Sequence, residues 1–302
     1  MTARILAAVL LLAAGPLPVA AVAQTGPTSR PGATAPAGQS MLHRRYQEGE
    51  RIHFTMTGIN QANRYEVRAT GEVKRDGSGA FYEEITWSDA VYNGKPTKLP
   101  PAAAAFRQRL SLAPDYRLSV PDLSPVMMLV GPITDLLTFY SDYQVAAGLP
   151  NLIKPGDRAV VPLPFAPSWA DGTRIVLGED SIDFDVTLKA VDDKAQTATI
   201  LVRHVPPAKP LIKIPVEWMR APVADTPNNW VQVEKHGDGT YTAGIGKETF
   251  DVETRIDLKT GRILSGTIDN VVDVMERKCS DAALIQAGEP KRYQIKRRIE
   301  LR

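Results

Sequence analysis

The sequence predicts a mainly β protein: an antiparallel curved sheet, half-barrel or sandwich of about ten to twelve strands with a short helical insert. Three observations predict it. Apolar and polar residues alternate over many segments, the pattern of strands buried on one face. Short Gly- and Asp-containing turns separate those segments at hairpin spacing. Only Pro121–Gly148 has helical periodicity, so helices do not alternate with strands as a parallel α/β sheet requires.

The first segment sets Ile52, Phe54 and Met56 against Arg51, His53, Thr55 and Thr57. Tyr65, Val67, Ala69 and Val73 form the second, and Asp76-Gly77-Ser78-Gly79 turns the chain. Phe81, Ile85 and Trp87 return, with Glu83 as an inward-pointing exception. Further on, Ile182, Phe184, Val186 and Leu188 pair with Ala198, Ile200 and Val202 across Asp192–Ala195. A third hairpin joins Trp230–Lys235 to Thr240–Ile245, and a fourth joins Phe250–Leu258 to Ile263–Ile268. Tyr293, Ile295, Ile299 and Leu301 make a last strand that the sheet should hold.

In the helical insert, Ser124 with Pro125 opens a first short helix, and Pro132 opens a second. There Ile133, Leu136, Leu137 and Tyr140 share one face, with Asp135, Thr138 and Asp142 on the other. Gly148 and Pro150 stop it. The Pro-rich stretches Asn151–Ser168 and Val205–Pro227 belong to connections and edges.

Met1–Ala23 has the three parts of a secretory signal: Arg4, the apolar run Ile5–Ala14, and Ala21-Val22-Ala23 as the cleavage pattern. The apolar run is too short to cross a bilayer, which takes about 20 residues. Cleavage after Ala23 then leaves a periplasmic or secreted protein with no transmembrane segment. Gln24–Ser40 is rich in Gly, Pro, Thr, Ser and Ala and buries too little apolar surface to offset its ordering entropy. A flexible leader therefore covers residues 24–45, and a single β-rich domain covers 46–302 with its helical insert at 121–148.

The formal net charge is +2, with basic residues spread along the chain, so there is no footprint for nucleic acid. The one cysteine, Cys279, cannot form an intramolecular disulfide and reads as a buried thiol. No zinc motif, nucleophile elbow, phosphate-binding Gly-rich loop or EF-hand loop is present, and no cofactor is implied. Asp183 and Asp185 share a strand face about 7 Å apart, and with His204 they are the only support for a hydrolase. Asp171-Gly172 and Asp238-Gly239 are turn formers. The apolar inventory of Trp87, Met127, Met128, Phe139 and Tyr140 is suited to lining a pocket for an apolar ligand.

The runs Asp135–Tyr140 (DLLTFY), Ser168–Thr173 (SWADGT) and Asn228–Val233 (NNWVQV) resemble those of a family of uncharacterised exported bacterial proteins. That resemblance implies an envelope or secreted β-rich domain and carries no known activity. In architecture alone the chain resembles the periplasmic half-barrel carriers of lipids and lipoproteins. The expected function is non-catalytic binding of a lipid-like or other apolar small molecule in the cell envelope. The alternative is an envelope scaffold that binds another envelope protein, and a hydrolase comes third.

Overall fold

The computed structural model describes residues 40–113, 116–119, 121–162, 168–170, 176–180, 182–207 and 214–302, with backbone only for 124, 168–170 and 176–180. The expected signal peptide Met1–Ala23, the leader up to residue 39 and the Asp171-Gly172 turn lie outside the described residues.

The fold class is as the sequence predicts: a mainly antiparallel, curved and unclosed sheet with one principal helix. β1 (Arg51–Asn60), β2 (Asn63–Arg75) and β3 (Phe81–Tyr92) form the expected meander. β4 (Lys95–Thr97) and β5 (Gln108–Leu110) are three-residue ladders on β3. After α1 (Pro101–Ala105) and a 3₁₀ segment at Ser124–Leu129 comes α2 (Val130–Ala147). β6 (Arg158–Pro162), β7 (Ser168–Ala170), β8 (Val176–Asp180), β9 (Asp183–Asp192) and β10 (Thr197–Val205) follow. The chain ends on β11 (Trp230–Lys235), β12 (Tyr241–Asp257), β13 (Ile263–Cys279) and β14 (Lys291–Leu301). The described residues thus hold fourteen strands. The additional ones include β4, β5 and β7, whose three residues each are too few for a period of two to register.

The main path through the sheet is β4-β3-β2-β1-β14-β13-β12-β10-β9-β6. β12 also carries β11 along its first half, with β8 and β7 beyond. This branching corrects one expectation. Both expected hairpins form, but they share a strand: Tyr241–Ile245 and Phe250–Asp257 are parts of one seventeen-residue strand, β12. The intervening Gly246-Lys247-Glu248-Thr249 stays paired to β13 from Val274 to Val271 and has no turn to make. The last strand, β14, is held between β1 and β13.

Alternation along β12 and β13 divides their residues between two faces. On the inner face, Val252, Ile256 and Ile268 join the main core under α2. Ala243, Ile245, Met275 and Cys279 point to the opposite face and form a second core with Met219 and Leu284. The inner face continues past the main core as a third small cluster of Val272, Val274 and Ile295, against which Trp230 and Tyr293 pack.

α2 starts at Val130, two residues before Pro132, because a proline in the first turn sacrifices no intrahelical bond. It stops at Gly148, whose N–H donates to Gln144 O and Val145 O with φ of −76°, so no left-handed residue is needed. Ile133, Leu136, Phe139, Tyr140 and Tyr143 are all buried in the main core, each contributing roughly 1.5–3 kcal/mol. The expected division of the helix does not hold for two residues. Asp135 and Asp142 lie on its buried side, because each has a partner waiting on the sheet. Ordered packing also begins before residue 46: Leu42 is fully buried, and the Arg44 guanidinium reaches Glu50 and Glu83.

Phe139 lies across Gly266 of β13. A Cβ there would come within 2.5 Å of the Phe139 ring and 3.0 Å of Glu253 O. Gly266→Val is expected to cost about 1–3 kcal/mol in urea unfolding. Gly77→Ala, at a turn position with nothing within 4 Å, should stay within about 0.5 kcal/mol of the parent.

Candidate functional site

The inner face reads as successive rows across the strands. The apolar row Val186–Val202–Val252–Ile268–Ile299 lies in the main core with α2. Two residues further along, the row is Phe184–His204–Phe250–Asn270–Arg297. Glu248–Val272–Ile295 comes next, then Trp230–Gly246–Val274–Tyr293, then Gln232–Gly244–Glu276–Lys291. Polarity therefore changes from apolar to charged, back to apolar and aromatic, and finally to charged.

The second row binds the helix. His204 Nε2 is 2.8 Å from Asp142 Oδ2, and its ring stacks on Phe250 at 4.6 Å and meets Phe184 edge-on at 5.0 Å. Arg297 Nη2 donates to Asp135 Oδ1 at 2.5 Å, and Tyr65 Oη donates to Asp135 Oδ2 at 2.8 Å. Asn270 Nδ2 donates to Glu248 Oε1 at 2.7 Å, while Asn229 accepts from the Glu248 N–H and donates to its carbonyl. Burial is the main cause that raises the Glu248 carboxyl above its usual range, against the pull of Asn270, His204 and Arg297. Burial also opposes the charge on His204, but the Asp142 carboxylate outweighs it and raises the imidazole above its ordinary value, with Glu248 and Asp251 adding to the effect. Burial and the adjacent Asp135 carboxylate keep the Tyr65 phenol protonated.

A second buried tie lies at the other side of the helix. Tyr140 donates to Glu83 Oε2, and Arg44 Nε donates to Glu83 Oε1 at 3.2 Å. Glu83 is the inward exception in the alternation of β3. Its burial raises its pKa, and the Arg44 charge opposes that rise.

Beyond α2 the inner face forms a shallow cleft lined by Trp230, Gln232, Gly244, Glu276, Tyr293 and Ile295, with Glu234 and Thr242 at its outer end. Its enclosed volume is about 20 Å³, room for roughly one water molecule. Gly244 lies in its floor, and the Trp230 ring lies against both Gly244 and Gly246. Tyr293 Oη donates to Glu276 Oε2 at 2.8 Å. This arrangement combines two half-buried aromatic surfaces with hydrogen-bonding and carboxylate groups, the composition of a small-molecule binding surface.

The residues singled out in the sequence are distributed as follows. Phe139 and Tyr140 are wholly inside the helix–sheet interface, and Trp87 is 3% exposed in the same core. Trp87 Nε1 has no hydrogen-bond partner among the described residues. Met128 packs at the margin of that core and its carbonyl accepts from Tyr92, while Met127 is 38% exposed. Asp185 makes a two-pronged ion pair with Arg158 at 2.5 and 2.7 Å. Asp183 and Asp185 alternate with the inward-facing Phe184, so they lie on the opposite face from His204. The trio that would support hydrolysis is therefore not assembled. Asp238 accepts from Thr240 within its turn. Cys279 is buried in the second core, where burial raises its thiol pKa. Among the described residues no three His, Cys, Asp or Glu side chains are grouped to hold a metal ion, and no helix is long and apolar enough to cross a membrane.

Sequence reasoning did not assemble the Glu248–Asn270–Arg297 row or the Trp230–Tyr293 cleft. The available signal was the pair Gly244-x-Gly246 inside a strand, which marks close approach by another group.

The His204–Asp142 pair gives a pH dependence of known sign. The folded state holds the imidazolium proton more tightly than the unfolded chain does. The stability contributed is full below the unfolded pKa of about 6.5 and is lost as pH rises through the raised folded value. Urea midpoints should fall across that window, and His204→Gln should flatten the fall. An unchanged slope in the variant would contradict this role. Compared with family models, curated proteins and solved structures, the chain matches none.

Proposed function

We propose that this is an exported, non-catalytic binding protein for a small amphiphile of the cell envelope, of the kind found in an uncharacterised exported family. The ligand rests on the uncovered half of the inner face, against Trp230, Tyr293 and Ile295. The observation that carries this reading is the continuation of the inner face past α2. There, among the described residues, no helix lies over the sheet, and the Trp230 and Tyr293 side chains pack against it. Aromatic rings bury large apolar areas while each keeps a polar tip, which suits a ligand with both an apolar and a polar part. The dispersal of Asp183, Asp185 and His204 weighs against a hydrolase.

One observation favours the scaffold reading. β6 has a single neighbour, β9, among the described residues, and Val160 on it is 52% exposed, with Ile153 nearby at 70%. A strand from an envelope protein would pair along that edge.

Native mass spectrometry of protein purified without detergent separates the two. An added small mass that disappears on denaturation is expected. Trp230→Ala should lower its occupancy about tenfold, as the loss of a central aromatic anchor does, and Trp87→Phe should leave it unchanged. Bare protein that takes up no added amphiphile would overturn the binding reading, and a stoichiometric second chain would favour the scaffold.

A further inference from the structure

We propose that the polar head this cleft recognises is an ammonium group, primary or quaternary. This rests on the binding reading above and adds the chemistry of the ligand.

Two rings and two carboxylates meet at the cleft from three strands: Trp230 and Glu234 on β11, Glu276 on β13 and Tyr293 on β14. An aromatic face carries negative potential and attracts cations, most strongly for Trp and Tyr. At Tyr293 this potential is reinforced, because the phenol stays protonated and donates to the Glu276 carboxylate. Burial is the main cause of that protonation, and the Glu276 charge adds to it.

The protein itself supplies a stand-in for the ligand. Lys291 Nζ lies 5.0 Å from the centroid of the Tyr293 ring, and Lys291 stands opposite Glu276 in the β13–β14 register. An ammonium therefore already lies over this ring, on the residue paired with Glu276. Lys291 is exposed, so its side chain can leave this position at little cost. Lys278, the other lysine on these rows, is also exposed and lies further out, opposite Thr242. Neither lysine lines the cleft, whereas Glu234 and Glu276 both do. An anionic head would meet the Glu276 carboxylate there. An incoming ammonium displaces Lys291 from the ring and takes its place beside Glu276. The attached chain then follows the strip of Val272, Val274 and Ile295 that the rings cover.

Four probes test this, each titrated below its micelle concentration into the purified protein with calorimetric or mass-spectrometric readout. They are dodecyltrimethylammonium, dodecyl maltoside, dodecanoate and tetramethylammonium. Dodecyltrimethylammonium is expected to bind about tenfold more tightly than the neutral and anionic dodecyl probes. Glu276→Gln, whose amide oxygen still accepts from Tyr293, should remove most of that preference, read as the ratio of dodecyltrimethylammonium to dodecyl maltoside affinity within the same variant. Lys291→Gln should strengthen dodecyltrimethylammonium binding about threefold, because the internal competitor is gone. If tetramethylammonium binds as well as the chain-bearing cation, the natural source is a free amine. If it binds much more weakly, the source is a lipid headgroup. Equal or tighter binding of the maltoside or dodecanoate overturns the ammonium assignment and leaves the binding reading standing, as does weaker cation binding in Lys291→Gln. Failure of every probe to bind overturns both.

Discussion

Two strands are longer than the helix that covers them, and the rest of the structure follows from that mismatch. β12 and β13 have seventeen residues each, about 56 Å of extended chain, whereas the eighteen residues of α2 span about 27 Å. No placement of α2 can bury the whole inner face. The chain resolves this by changing its means of burial along the strands. Under α2 the inner residues enter the main core. Further along, the outer residues are buried instead, by Met219 and Leu284. The inner residues of that same stretch are left to the side chains of Trp230 and Tyr293. The open half of the inner face is thus a consequence of strand length.

Apolar burial alone would leave α2 free to rotate about its axis. The polar ties restrict it. Tyr140 meets Glu83 on one side, while Asp135 and Asp142 meet Arg297 and His204 on another. The three carboxylates are buried and His204 and Arg297 half-buried, so a rotation that parts a pair strands a buried charge at a cost of up to about 3–5 kcal/mol. Tyr143 adds a further tie by donating to Leu42 O and Gly261 O, which fixes the start of the domain to the same helix. The ion pairs contribute orientation more than net stability, because their desolvation offsets much of their attraction.

The strands were legible because a period of two needs only local sequence. Glu83 was legible too, as a break in the alternation of β3, although its partner Arg44 is thirty-nine residues away and had no local mark. Asp135 and Asp142 were misplaced on the exposed side of α2 for the same reason. Helical periodicity sorts residues by polarity, and a buried carboxylate looks like a solvated one until its cation is brought in from another strand. Arg297 lies 162 residues from Asp135, and His204 lies 62 residues from Asp142. The unbroken length of β12 was hidden because the apolar alternation lapses between Ile245 and Phe250, which separates the two expected arms. The cleft was hidden with it, since its rows require the register of β11 through β14 together.

Those two glycines show why the cleft has the shape it does. Glycine weakens a strand, since it leaves nothing to pack and gives up more backbone entropy on ordering. At Gly246 no larger residue fits: a Cβ would lie 2.7 Å from Asp273 O and 3.0 Å from both Trp230 and Val272. At Gly244 it would lie 3.3 Å from the Trp230 ring. Trp230 thus occupies the space that two ordinary strand side chains would fill. One large ring replaces several branched aliphatics as the cover of Val272 and Val274. A cover made of many short side chains can be lifted only by moving the strands that bear them. A cover made of one indole and one phenol opens by side-chain rotation alone and leaves the sheet and α2 where they are. The sheet gives up local strand stability at its branching point, and in return its inner face has a place where apolar surface is closed by parts that turn.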